Sequence, residues 1–267
     1  MHAMGIDDLV LREMHRVAVD AGRPGICLPS ADLAKLAVPA GSLSAAREAV
    51  RRLSKAGRII RARRDLLVLP DATGLLGVDL PDLVDVVAPR PYLITAGRAL
   101  ERHELTDQHF FGTIVLTAAR LEQLHFRGQT ATFLETDPAN IWGWEDASGP
   151  RFARPERAIL DVLNHPRYAV TLTQAIDALV LADSRDPDFV PRLLDAVVLY
   201  GSPAVARRVG LIVDRFVGPQ AAAPFRDWIG KNRAPVLLRP RGKRTGLVDG
   251  TWRVLVNAPL ESERVRT

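Results

Sequence analysis

The sequence is poor in cysteine, lysine and aromatic residues, and it lacks the signatures of most enzyme classes. Its single cysteine, Cys27, cannot close an internal disulfide, so nothing demands an oxidising compartment and a cytoplasmic setting is expected. No apolar run approaches the roughly 18–20 residues of a membrane span. The amino-terminal run Leu9–Val10–Leu11 stops at Arg12 and Glu13, too early for a secretory signal, and no membrane partner is expected. Dinucleotide and phosphate loops of the G-x-G-x-x-G and Walker types are missing, as is a G-x-S-x-G nucleophile elbow. The six histidines form no H-E-x-x-H pair, and one cysteine cannot build a zinc site.

These absences leave a chain for which no enzyme activity, no cofactor and no metal are expected. His103 and His109, in His103-Glu104-Leu105-Thr106-Asp107-Gln108-His109, read as a polar loop. Asp161 reads as a structural or capping acid on an amphipathic helix. Trp142 and Trp144 read as packing residues, and Cys27 as an inert core thiol.

What is present is an uneven distribution of charge. The chain has 267 residues, enough for one large domain or two ordinary ones, and a formal net charge of +5. Residues 1–46 sum to −1, residues 47–64 to +7, residues 65–230 to −7 and residues 231–267 to +6. A block of +7 confined to so short a segment creates a local field that attracts phosphate.

The apolar periodicity around that block is informative. Residues 6–19 read as a helix with Leu9, Val10, Met14, Val17 and Ala18 on one face. Ser30 reads as the cap of a short helix, 31–38, with Leu33 and Leu36 inward. Pro39-Ala40-Gly41 is a tight turn. Ser42 caps a third helix, 43–56, closed by Gly57. Arg58-Ile59-Ile60 and Leu66–Leu69, around the charged stretch Arg61–Asp65, read as a hairpin. Helix, helix, tight turn, helix and hairpin is the order of a winged helix–turn–helix.

At 100° per residue, Leu43, Ala46, Val50 and Leu53 share the inward face of the third helix. Its outward face carries Ser44, Glu48, Arg51, Arg52 and Lys55, with Arg47 on its flank. In a helix–turn–helix this element enters the major groove. Ser44, Arg47, Glu48 and Arg51 are then nearest the bases, and Arg52, Lys55 and Arg58 nearest phosphates. Arg61, Arg63 and Arg64 at the wing tip reach backbone or minor groove. The segment Arg239, Arg241, Lys243 and Arg244 is a candidate second basic surface, against the plainer reading of a solvated hairpin loop.

The expected fold class is α+β: an N-terminal winged helix–turn–helix over 1–75, a connector over 76–89, and a mixed α/β domain over 90–267 with a helical middle and a β-rich tail. In the second domain 98–103 and 155–163 read as helices, 114–116 and 130–134 as strands. Helices open after Thr171 or Thr173, at Asp186-Pro187 and at Ser202-Pro203. Asp249-Gly250 marks a hairpin in the tail.

Several stretches of the second domain carry a further signal. They are Pro91-Tyr92-Leu93-Ile94 with Ala96–Leu100, His103–Gln108, Ile114–Thr117, Phe152-Ala153-Arg154-Pro155-Glu156-Arg157-Ala158-Ile159-Leu160-Asp161, and Tyr200–Val205 leading into Arg207-Arg208-Val209-Gly210. Together they resemble the AbiEi family of bacterial antitoxins, over about residues 1–220; the tail from 231 onward is not matched. The resemblance implies a DNA-binding antitoxin that neutralises a nucleotidyltransferase-like toxin through its C-terminal domain. It also implies repression of the antitoxin's own operon by binding double-stranded DNA at an operator with inverted repeats. No residue set for neutralisation is carried over. The rival readings are a transcription factor with a ligand-sensing second domain and a DNA-modifying enzyme, which the missing catalytic motifs disfavour.

Overall fold

A computed structural model describes residues 5–71, 77–145, 149–165, 168, 170–231 and 234–264 as a mixed α+β protein. Among the described residues no helix is long and apolar enough to cross a membrane. The chain divides into two compact units: Met1–Val87 with Leu124–Thr130, and Ala88–Gln123 with Ala131–Thr267.

The first unit is built on α1 (Ile6–Asp20), β1 (Ile26–Cys27), α2 (Pro29–Ala40), α3 (Leu43–Lys55), β2 (Ile60–Arg63) and β3 (Leu66–Val68). The strands form an antiparallel sheet in the order β1-β3-β2, with Ile26 and Ile60 both opposite Val68. Val10 and Met14 of α1, Leu36 of α2, and Ala46, Val50 and Leu53 of α3 meet Ile59, Leu67 and Leu69 in one apolar core. Gly41, at φ +78°, ends α2 in the left-handed region that glycine tolerates, and so allows α3 to begin two residues later.

Four local expectations are revised here. Leu43 is 40% exposed, because it opens α3 before the helix turns inward, and Ala49 takes the buried place instead. The hairpin turn is only Arg64-Asp65, since Arg61 and Arg63 belong to β2. α2 starts at Pro29 behind Leu28, two residues earlier than a Ser30 cap implies; the side chains of Ser30 and Leu33 lie outside the described residues. The connector 76–89 contains α4 (Leu80–Val87), whose Leu80, Leu83 and Val84 are buried. Pro81 stands in the first turn of that helix, where a proline forfeits no hydrogen bond. Asp79 and Asp82 close that turn reciprocally: the Asp82 amide donates to Asp79 Oδ1 at 3.2 Å and the Asp79 amide donates to Asp82 Oδ2 at 2.9 Å.

Half-buried Asp82 carries a pH dependence. Burial, with Asp79 and Asp85 close by, pushes its carboxyl from 3.8 up to about 6. Its folded value lies above its unfolded one, so its contribution is fully present below about pH 4 and is lost as pH rises through about 6. Asp82→Asn is expected to flatten the stability profile of the chain between those limits, measured by urea melts at stepped pH. An unchanged profile would assign the slope to other acids.

The second unit contains β4 (Tyr92–Thr95), α5 (Gly97–Arg102) and β5 (Gly112–Thr117). β6 (Leu124–Phe126) falls in the segment that belongs to the first unit, and β7 (Gln129–Glu135) brings the chain back. β4 and β5 pair antiparallel, with Tyr92 opposite Thr117. Five helices follow: α6 (Pro155–Asn164), α7 (Leu172–Arg185), α8 (Phe189–Tyr200), α9 (Pro203–Phe216) and the short α10 (Pro219–Ala222). Thr171 starts α7 with a reciprocal cap on Gln174, and Ser202 caps α9 by accepting from the Val205 amide. α8 begins at Phe189 and not at Pro187, because the Asp186 side chain accepts from the Asp188 amide at 2.9 Å and holds a turn there.

The tail forms β8 (Val236–Leu237), β9 (Leu247–Asp249) and β10 (Val254–Val256). β9 and β10 make the expected hairpin, but β8 runs parallel to β10 on its other side. The basic stretch 239–244 is therefore a crossover between β8 and β9 and not a hairpin loop. Trp252 from this tail is fully buried against Gly210 in the middle of α9, a place where any side chain would collide with the indole. Its Nε1 donates to Asp214 Oδ2 at 2.8 Å.

Candidate nucleic-acid interface

α3 forms because Ser42 stands before it in extended backbone and accepts from the Ala45 amide at 3.1 Å, and because three small residues, Ala45, Ala46 and Ala49, favour helix. Its buried stripe is Ala46, Ala49, Val50 and Leu53. The opposite side exposes Ser44, Arg47, Arg51, Arg52 and Lys55, with Glu48 half-buried among them. Arg47, Arg51 and Lys55 recur every fourth residue and so share one face.

The basic block is not uniformly free. Arg51 donates to Glu48 through Nε at 2.9 Å and Nη2 at 2.6 Å, and this guanidinium holds the Glu48 carboxyl below the usual carboxylate range. Arg52 donates to Asp7 of α1 through Nε at 3.1 Å, which lowers Asp7 in the same way. Arg58 reaches Asp8 at 2.8 Å. In the hairpin, Arg63 pairs with Asp65 at 2.8 Å, and Arg61 donates to the Arg64 carbonyl at 2.7 Å. Among the described residues, Arg47, Lys55 and Arg64 have no carboxylate partner, and all three are exposed. Two tethers thus join α1 to α3 and the turn after it, through Arg52 and Arg58, which the sequence had assigned to phosphate. Such exposed pairs are weak, roughly 0–1 kcal/mol each, and can exchange a carboxylate for a phosphate.

The candidate second surface separates into different roles. Arg239, Arg241, Lys243 and Arg244 are all exposed on the crossover after β8. Asn257 stitches that crossover, accepting from the Arg239 amide at 2.9 Å and donating to the Lys243 carbonyl at 3.0 Å. Arg241 faces a cavity within the second unit. The two loop histidines diverge: His103 Nε2 lies 2.8 Å from the Ala153 carbonyl, and His109 Nδ1 lies 2.6 Å from Glu101.

Sequence reasoning missed a buried charged constellation on α6. Asp161 does not cap the helix, which ends three residues later with His165 at the cap position. Asp161 is 1% exposed and its Oδ2 accepts from Arg157 Nε at 3.0 Å and from the Thr95 hydroxyl at 2.6 Å. Oδ1 accepts from the Tyr200 hydroxyl at 3.1 Å. The signal available in the sequence was an Arg–Asp pair at i,i+4 enclosed by apolar neighbours, in a helix buried on every side. Trp142 packs as expected, but on the Arg157 guanidinium, 4.3 Å from its ring centre.

No family model and no curated protein matches the chain. A solved structure, that of the RV2827C protein from Mycobacterium tuberculosis, is similar over 92% of this chain and 90% of that one, with a TM-score of 0.66 and 12% sequence identity. At that identity the likeness shows a shared fold.

Proposed function

We propose that the first unit is a winged helix that binds double-stranded DNA, with α3 in the major groove and the β2–β3 turn as the wing. One observation supports this above the others: Arg47 and Lys55 on one face of α3, and Arg64 in the turn, are exposed cations without a carboxylate to neutralise them. Arg51 lies four residues from each of Arg47 and Lys55; like charges at that spacing destabilise an isolated helix, and an anionic partner removes that cost. The family resemblance extends the proposal to a DNA-binding antitoxin. In that reading the operator is an inverted repeat before its own operon, and the second unit opposes a nucleotidyltransferase-like toxin. A second reading, a transcription factor whose second unit senses a ligand, is favoured by the cavity beside α6.

Salt dependence tests the first step. Three unpaired cations meeting phosphate give a slope of log K against log[salt] near −3, and the paired arginines that exchange partners take it toward about −5. Fluorescence anisotropy on an inverted-repeat operator and on a random duplex should show that slope on both. A flat response would remove DNA from the reading. For the antitoxin step, the full chain carrying Arg47→Ala and Arg64→Ala should derepress a promoter reporter while still rescuing growth against the adjacent toxin gene. Loss of rescue in a chain that remains folded would mean that the two activities are not divided as proposed.

A further inference from the structure

The DNA-binding reading leaves unused a cavity of about 740 Å³ in the second unit, alongside α6. Cavities of that size hold small organic molecules, with apolar walls and a few polar groups that fix orientation. Here the apolar wall includes Ile114, Leu116 and Trp142. The polar group is Arg157, which lines the cavity although it is 4% exposed. Its guanidinium is immobilised by the Asp161 contact and by the rings of Trp142 and Tyr200, at 4.3 and 5.2 Å. Its Nη1 nevertheless has no hydrogen-bond partner among the described residues. A buried donor of this kind is costly to leave unmet, and an acceptor brought by a ligand would satisfy it.

The charges around the cavity narrow the class of ligand. Asp161 is already occupied by Arg157 Nε, the Thr95 hydroxyl and the Tyr200 hydroxyl, so this acid and Arg157 offset each other. Arg241 and Glu135, both exposed, also line the cavity and add one charge of each sign. Burial holds His165 below its usual value and so favours its neutral form, opposed by Asp161 and helped by Arg157, Arg241 and Arg208. Two arginines against two carboxylates suit one negative charge and oppose several. We propose that this cavity binds a small monoanionic carboxylate with an aromatic or apolar body. The carboxylate would accept from Arg157 Nη1, the body would lie against Ile114, Leu116 and Trp142, and Arg241 would attract the anion at the mouth. The inference does not depend on DNA binding.

Isothermal titration of the full chain with indole-3-acetate, and with AMP and inorganic phosphate as more highly charged probes, tests the proposal. Indole-3-acetate should bind saturably with one site per chain, and each of the other two at least about tenfold more weakly. Arg241→Ala, an exposed position whose loss should not disturb folding, should weaken indole-3-acetate about tenfold by removing a charge-assisted contact. Arg157→Lys keeps a cation beside Asp161 but withdraws the guanidinium donor, and should abolish binding with circular dichroism unchanged. Arg215→Ala, exposed elsewhere on α9, should leave affinity as it was. If Arg157→Lys fails to fold, the Arg241→Ala result decides. No saturable heat with indole-3-acetate, an affinity untouched by Arg241→Ala, or tighter binding of AMP would each overturn the proposal.

Discussion

Asp161→Ala is expected to lower the stability of the second unit by about 3–5 kcal/mol, the cost of breaking a buried ion pair from one side. Three donors converge on this carboxylate: Arg157 Nε at 3.0 Å, the Thr95 hydroxyl at 2.6 Å and the Tyr200 hydroxyl at 3.1 Å. Removing it leaves a guanidinium with almost no exposure to water and no counter-charge, and two hydroxyls without their acceptor. For a unit of this size each kcal/mol shifts the melting temperature by roughly 2–4 °C, so a fall of about 6–20 °C should appear in the transition assigned to that unit. The double variant Arg157→Met/Asp161→Leu removes both charges together and should recover part of the loss, because a matched apolar pair avoids the desolvation cost of two ions. Recovery should be incomplete, since the Thr95 and Tyr200 hydroxyls remain unmatched. A shift below about 1 °C in Asp161→Ala would show that water reaches Arg157 freely and that the pair is peripheral to the fold.

The first unit shows what the sequence could and could not convey. Periodicity and capping rules locate α3 to within a residue, since Ser42, the buried Ala46, Val50 and Leu53, and Gly57 all lie within one local window. β1 escapes that logic. Two residues, Ile26 and Cys27, show no period, and they form a strand only because β3 runs beside them some forty positions later. The ion pairs Arg52–Asp7 and Arg58–Asp8 are invisible for the same reason: they join segments 45 and 50 residues apart. A charge count therefore overstates how many arginines stand free.

The stretches that carry the family resemblance have a different meaning in three dimensions. Arg207 donates to the Ile229 and Ala234 carbonyls at 2.8 Å, and Arg208 to the Leu237 carbonyl at 2.7 Å. Burial pushes Arg208 down to about 10. Glu156 accepts from Arg192 at 2.6 Å. These side chains tie helices and tail together within the second unit. Their pattern in sequence marks a way of building that unit, whereas the cavity is lined by Arg157, Asp161, Trp142 and Tyr200, a set that no single stretch contains.

Reversing Arg47 and Arg64, two cations of the basic block whose side chains have no carboxylate partner, in Arg47→Glu/Arg64→Glu, is expected to weaken DNA binding by about 2–6 kcal/mol, taking roughly 1–3 kcal/mol for each arginine contact with DNA. Both positions are exposed and neither holds a partner, so folding should be unaffected and the whole loss should appear in affinity. The salt slope should shrink by about 1 through the loss of Arg64 at the wing, and by more if Arg47 also meets phosphate. A companion variant acts in the opposite direction. Asp7→Asn/Asp8→Asn releases Arg52 and Arg58, which those carboxylates hold at 3.1 and 2.8 Å. Exposed pairs of this kind contribute little stability, but each carboxylate competes with phosphate for its arginine. The companion should therefore bind both operator and random duplex more tightly and with a steeper salt slope. Measured together by anisotropy across a salt series, the two variants should move affinity and slope in opposite senses. If Asp7→Asn/Asp8→Asn instead weakens binding while melting as the wild type does, Arg52 and Arg58 act through the orientation that their carboxylates impose. DNA would then meet the first unit through an arrangement of α1 and α3 held together, and not through the basic face of α3 alone.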